Sequence, residues 1–152
     1  MNYLAPVTFL LMAGCGSIKP ASRQEETSTR RADMLSPMRK VLGTIMYFGD
    51  GPEIDVPENG RVGDAIPLTV TTYGGGCILE DTTIVAVDSL SANISPYQRI
   101  PTRPATCTAE LNINRRALLV TFAISGRATV KIYGRAVPAD TAVAFLRSIL
   151  VR

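Results

Sequence analysis

From Val41 onward the apolar positions recur every second residue, the period of half-buried strands. "GTIMYF" (43–48) is a short β-prone run, and "DGPE" (50–53) is a turn signal. "EIDVPE" puts Ile54 and Val56 on one face, and "ENGRVGD" contains Asn59-Gly60, a strong hairpin dipeptide. "AIPLTVTTY" (65–73) alternates with Ile66, Leu68, Val70 and Thr72 on one side. "TTIVAVDSL" (82–90), "ANISPYQRI" (92–100) and "RALLVTFAIS" (116–125) follow as further strands. Ser125-Gly126 is expected to turn the last of these into "RATVKIYGRAV" (127–137), with Ala128, Val130, Ile132 and Gly134 facing one way, so that the two form a hairpin. The tail "TAVAFLRSILVR" (141–152) has two readings. Asp140 caps a helix whose C-terminal end carries Arg147 and Arg152, or the β-branched residues make one last strand, the reading its position favours.

About 7–9 short strands with frequent turns and no strong amphipathic helix predict an all-β fold, an antiparallel β-sandwich. The phrases "GRVGDAIPLTVTTYGGGC" and "LLVTFAISGRATVKIYGRA" together resemble the immunoglobulin-like domains of bacterial surface proteins, in which the first leads into an early core strand and the second is the hairpin near the end. The resemblance covers roughly 41–152 and implies no activity by itself.

The N-terminal part has a different pattern. "YLAPVTFLLMAG" (3–14) is apolar and uncharged, too short for the ~20 residues of a transmembrane helix and suited to the apolar region of a signal peptide. It ends in "LMAGC", Leu11 to Cys15, which resembles the lipobox of bacterial lipoproteins. That resemblance implies cleavage after Gly14 and a lipid-modified Cys15 as the new N-terminus. Met12 stands where Leu is usual, and "MNYLAPVT" has no Lys or Arg where the family has a basic segment; a start codon further upstream is expected to supply it. Residues 1–14 are thus expected to be a signal peptide, 15–40 a flexible tether and 41–152 the β-sandwich domain. The polar "GSIKPASRQEETSTRRADMLS" (16–36) lacks period, and a coil of about 25 residues reaches roughly 25–30 Å. Gly16 is not Asp, so by the sorting habit of enteric lipoproteins the outer membrane or its periplasmic face is expected rather than the inner membrane.

Charge sharpens this division. Residues 16–40 hold six basic and three acidic side chains, while 41–152 hold ten of each. The net +3 therefore belongs to the tether, and a nucleic-acid surface on the domain is not expected. The chain has no His, which removes the commonest general base and metal ligand. Export also decides the cysteines: with Cys15 taken by lipid, Cys77 and Cys107 are expected to form a disulfide.

Other motifs read as structure. "YGGGC" (73–77) lacks a phosphate-loop ending and reads as a turn or bulge beside the cystine. Asp50, Glu53, Asp55 and Glu58 read as an exposed acidic loop rather than a calcium site. Glu80-Asp81 reads as a hairpin turn, and Arg115-Arg116 as protection of a strand edge. Asn93 heads an accidental glycosylation sequon, "NIS". Tyr47, Phe48, Tyr73, Tyr97, Phe122, Tyr133 and Phe145 are spread as core residues are, with no binding stripe. The functional expectation is a non-enzymatic envelope lipoprotein without cofactor or metal, anchored to a membrane through Cys15, whose β-sandwich serves as a binding or structural module with an envelope protein or polysaccharide as partner. The alternative is a proteinase-inhibitor-like or accessory domain that uses "YGGGC" and "PTRPATC" (101–107) as its loops.

Overall fold

A computed structural model of the chain describes residues 37–152, and among them there is no helix. The signal-peptide reading of 1–14, Cys15 and the tether up to residue 36 lie outside the described residues. Ten strands run β1 (Met38–Leu42), β2 (Thr44–Tyr47), β3 (Ile54–Asp55), β4 (Asn59–Gly60), β5 (Ile66–Gly74), β6 (Leu79–Asp88), β7 (Ser91–Pro101), β8 (Asn112–Val120), β9 (Gly126–Val137) and β10 (Thr141–Val151). Met38, Arg39 and Lys40, counted with the tether by charge, form the start of β1.

All ten strands belong to one hydrogen-bonded sheet. The alternation of each long strand decides which side is buried: Ile66, Leu68, Val70 and Thr72 on β5, Ala92, Ile94, Pro96 and Gln98 on β7, Ala128, Val130 and Ile132 on β9, Ile149 and Val151 on β10. These side chains, with Ile45, Val120 and Phe122, make one core. Burial of thirteen apolar side chains is the main favourable term, at about 1.5–3 kcal/mol for each large one.

The pairing departs from a wholly antiparallel sandwich. β2 and β7 both run parallel to β9, and β4 runs parallel to β10. The β2–β9 pair follows from a break in the first long run. β1 pairs antiparallel with β7, but at Gly43 the chain leaves β7 and enters as β2 between β9 and β5. The Gly43 N–H still reaches Pro96 O at 2.7 Å, while its carbonyl already accepts from Arg135 N at 2.9 Å. Buried Gln98 completes the switch: its Oε1 accepts from Thr44 N at 3.0 Å, and its Nε2 donates to Tyr73 O at 2.8 Å. One side chain therefore supplies the donor and acceptor that the changing ladder leaves open.

Three local expectations need correction. Asn59-Gly60 is not a hairpin turn; it is β4, paired with Leu150 and Val151, and the turn comes afterwards at Arg61–Asp64. β8 and β9 do not form a hairpin, because β8 pairs along its length with β5 and β9 with β10. The connection between them buries Phe122 completely, while Ala123 and Ile124 beside it stay exposed. Glu80-Asp81 lies within β6, at a bulge where two residues have no partner on β7. The strand reading of the tail holds: β10 pairs with β9 from Ala136 to Gly126, and Asp140, with φ of 50°, sits in the tight connection rather than capping a helix.

Candidate functional site

The last residues of β5 and of β9 come together at one end of the sheet on either side of β2, since Thr44 lies opposite both Tyr73 and Arg135 and Tyr47 opposite Val137. Two loops complete that end. Gly75 to Ile78 follows β5, and the long connection between β7 and β8 passes beside it. Cys77 and Cys107 are joined by a disulfide with Cα atoms 5.3 Å apart, as expected. A bridge spanning 30 residues contributes roughly 3–4 kcal/mol.

The triple glycine now has a steric reason. A Cβ on Gly75 would collide with the carbonyl of Glu110. A Cβ on Gly76, where φ is +54°, would lie 2.5 Å from Thr108 O and 2.8 Å from Cys107 Cβ. The Ile78 N–H closes the turn on Gly75 O at 2.9 Å. The two loops therefore press backbone against backbone, and the cystine holds them there.

Between these loops and the strand ends lies a cleft of about 240 Å³. Thr44 and Tyr47 of β2, Tyr73 of β5, and Arg135 and Val137 of β9 line one part, and Ile78, Thr108, Glu110 and Leu111 the other. Tyr47 stacks on Tyr73 with ring centroids 5.9 Å apart and meets Phe48 edge-on at 4.6 Å. Burial raises the Tyr73 phenol above its ordinary pKa, and Glu53 and Asp50 add to the rise, so it is a protonated donor at neutral pH. Arg135 Nη1 pairs with Asp140 Oδ1 at 2.9 Å, whereas its Nε is buried without a hydrogen-bond partner. The aromatic spread therefore does not serve the core alone: Phe48 is 69% exposed and belongs to this cluster.

A second hollow, about 390 Å³, lies on the outer side of β3, β5 and β8, lined by Glu53, Asp55, Thr69, Thr71 and Arg115 among others. Of the four clustered carboxylates it takes only two, and among the described residues no three His, Cys, Asp or Glu side chains are arranged to hold a metal. The disulfide cleft is the better candidate because five chain segments converge on it and it combines aromatic, acidic and basic groups.

The two adjacent arginines have separate fates. Arg115 points out from β8, an edge strand, where a charge opposes further strand addition. Arg116 points in, with its side chain 8% exposed. Its Nε donates to Thr72 Oγ1 at 3.1 Å, its Nη1 to Asp81 O and Thr83 Oγ1 at 2.7 and 3.1 Å, and its Nη2 to Tyr97 O at 2.8 Å. The β6 bulge frees the Asp81 carbonyl for this contact. Burial lowers the guanidinium pKa, partly offset by Glu80 and Asp81, yet an Arg remains charged at any working pH. Asn93 is a half-buried, paired residue of β7, unlike the exposed loop a glycosylation acceptor occupies.

The edge role that the sequence suggests for Arg115-Arg116 fits Arg115 and not the inward Arg116, and the sequence marks neither Gln98 nor Arg135. Period-two alternation is the signal for Arg116, which shares the face of Leu118 and Val120; nothing comparable marks Arg135. Comparisons of the chain with protein-family models, curated proteins and solved structures found no match.

Proposed function

We propose that the chain is a lipid-anchored protein of a bacterial envelope whose β domain is a non-enzymatic binding module. The observation that carries the reading is the combination of "LMAGC" at Leu11 to Cys15 with a Cys77–Cys107 disulfide in the domain. A structural disulfide suits an oxidising compartment outside the cytoplasm, and it leaves Cys15 as the odd cysteine, at the lipobox position. Two acyl chains on Cys15 make a stable anchor where one would be marginal. The absence of His supports a binding role over hydrolytic chemistry. One core drawn from β2, β5, β7, β8, β9 and β10 supports reading the domain as an immunoglobulin-like sandwich, with the parallel pairs as its departure from that pattern.

Metabolic labelling with a palmitate analogue tests the anchor. Label on the wild-type chain and none on Cys15→Ser is the expected result. An unlabelled wild type, or a labelled variant, rejects it. The cystine that ties "YGGGC" to "PTRPATC" also favours the inhibitor-like alternative, in which these two loops enter an enzyme cleft; inhibition of any protease in a panel spanning serine, cysteine and metalloproteases would move the assignment there.

A further inference from the structure

We propose that the cleft beside the disulfide binds one ring of a neutral, hydroxyl-rich or N-acetylated oligosaccharide. This rests on reading the domain as a binding module and assigns that module its ligand class. Size sets the first limit. About 240 Å³ is below the ~300–1,000 Å³ of pockets for drug-sized molecules, so it accommodates a single ring of a longer chain.

Hydrogen-bonding chemistry sets the second. The ion pair with Asp140 fixes one end of the Arg135 guanidinium, and the buried Nε–H is left as a donor without an acceptor. The Nε itself has almost no accessible surface, and what a ligand meets is the exposed edge of the guanidinium, the side chain being 15% exposed. Glu110 offers acceptors on the opposite wall, and the protonated Tyr73 phenol offers a donor. A sugar hydroxyl both donates and accepts, so one polyhydroxylated ring suits the Glu110 carboxylate, the Tyr73 phenol and the exposed edge of the Arg135 guanidinium. The stacked Tyr47 and Tyr73 rings supply apolar surface of the kind that suits the C–H face of a pyranose.

Charge sets the third limit and separates this ligand from other envelope polymers. Asp50 and Glu53 act on Tyr73, Glu110 lines the cleft and Asp140 occupies one side of Arg135, against the single guanidinium. The local field is negative. It disfavours uronic acids, teichoic-type phosphates and anionic lipid headgroups.

The test titrates the full ¹⁵N-labelled chain with a tetramer of N-acetylglucosamine and, separately, with a tetramer of galacturonic acid. Saturable shifts confined to residues 74–78, 108–111 and 135–137 are expected with the neutral tetramer, at a Kd of about 1 mM for one ring. Arg135→Gln and Tyr73→Ala should each weaken it about tenfold. Leu146→Ser, on the exposed face of β10, should leave it unchanged. If Arg135→Gln does not fold, Glu110→Gln at the cleft wall serves in its place. No saturable shift with the neutral tetramer, tighter binding of the acidic one, or full affinity in the cleft variants would overturn the proposal. Cosedimentation with native envelope fragments distinguishes the two levels: sedimentation without sugar binding removes only the ligand class, and absence of both removes the binding module as well.

Discussion

Arg116 and Gln98 do for this sheet what backbone ladders do elsewhere. β6 and β8 are edges that do not pair with each other, and the Arg116 guanidinium spans from β8 to carbonyls on β6 and β7. Its planar fork serves three neighbouring strands at once, which a Lys ammonium on a flexible stem does not reproduce. Arg116→Met removes the charge and leaves the Asp81 and Tyr97 carbonyls without their donor. An unsatisfied buried acceptor costs about 1–3 kcal/mol, so the variant should lose about 2–4 kcal/mol in urea unfolding, and Arg116→Lys should recover only part of it. A variant as stable as wild type would show that the edges are held by something else. The outward neighbour gives the control: Arg115→Met should shift stability by less than about 0.5 kcal/mol.

At the scale of elements, what the sequence revealed and what it hid divide cleanly by distance along the chain. Alternation within a strand is local, so the inward faces of β5 and β9 were legible residue by residue, down to Ala128, Val130 and Ile132. Partner choice between strands is not local. Nothing around Ser125 tells that β8 pairs with β5 and not with β9, because Phe122 keeps the inward alternation of Leu118 and Val120 whichever strand lies alongside. Asn59-Gly60 carries a hairpin signal, yet the last two residues of β10 capture it as a parallel bridge. The cleft was half legible: the cystine and its two loops were expected, but Arg135 and the Tyr47–Tyr73 stack meet only after β2 crosses to β9. The same loops give an element-scale prediction. Cys77→Ala/Cys107→Ala removes the tie between loops already pressed together at Gly75 and Gly76, and denaturant unfolding should show a loss of roughly 3–4 kcal/mol. Reductant should lower the wild type toward the double variant and leave the variant itself unmoved; equal stability of all forms would contradict a structural role for the bridge.

For the whole molecule, we propose a lipid-modified N-terminus, a polar tether and a β domain with its cleft held by a cystine. The charge division of the sequence shifts with the fold: Arg39 and Lys40 lie in β1, so the domain holds twelve basic and ten acidic side chains and carries two of the net three positive charges. The most direct measurement is the intact mass, under non-reducing conditions, of the full chain produced in bacteria and recovered from the envelope fraction. The account predicts a protein that begins at Cys15, carries at least a diacylglycerol group there, and is lighter by two hydrogens through the Cys77–Cys107 bond. An unmodified chain that retains residues 1–14, or one with both domain thiols free, would contradict it.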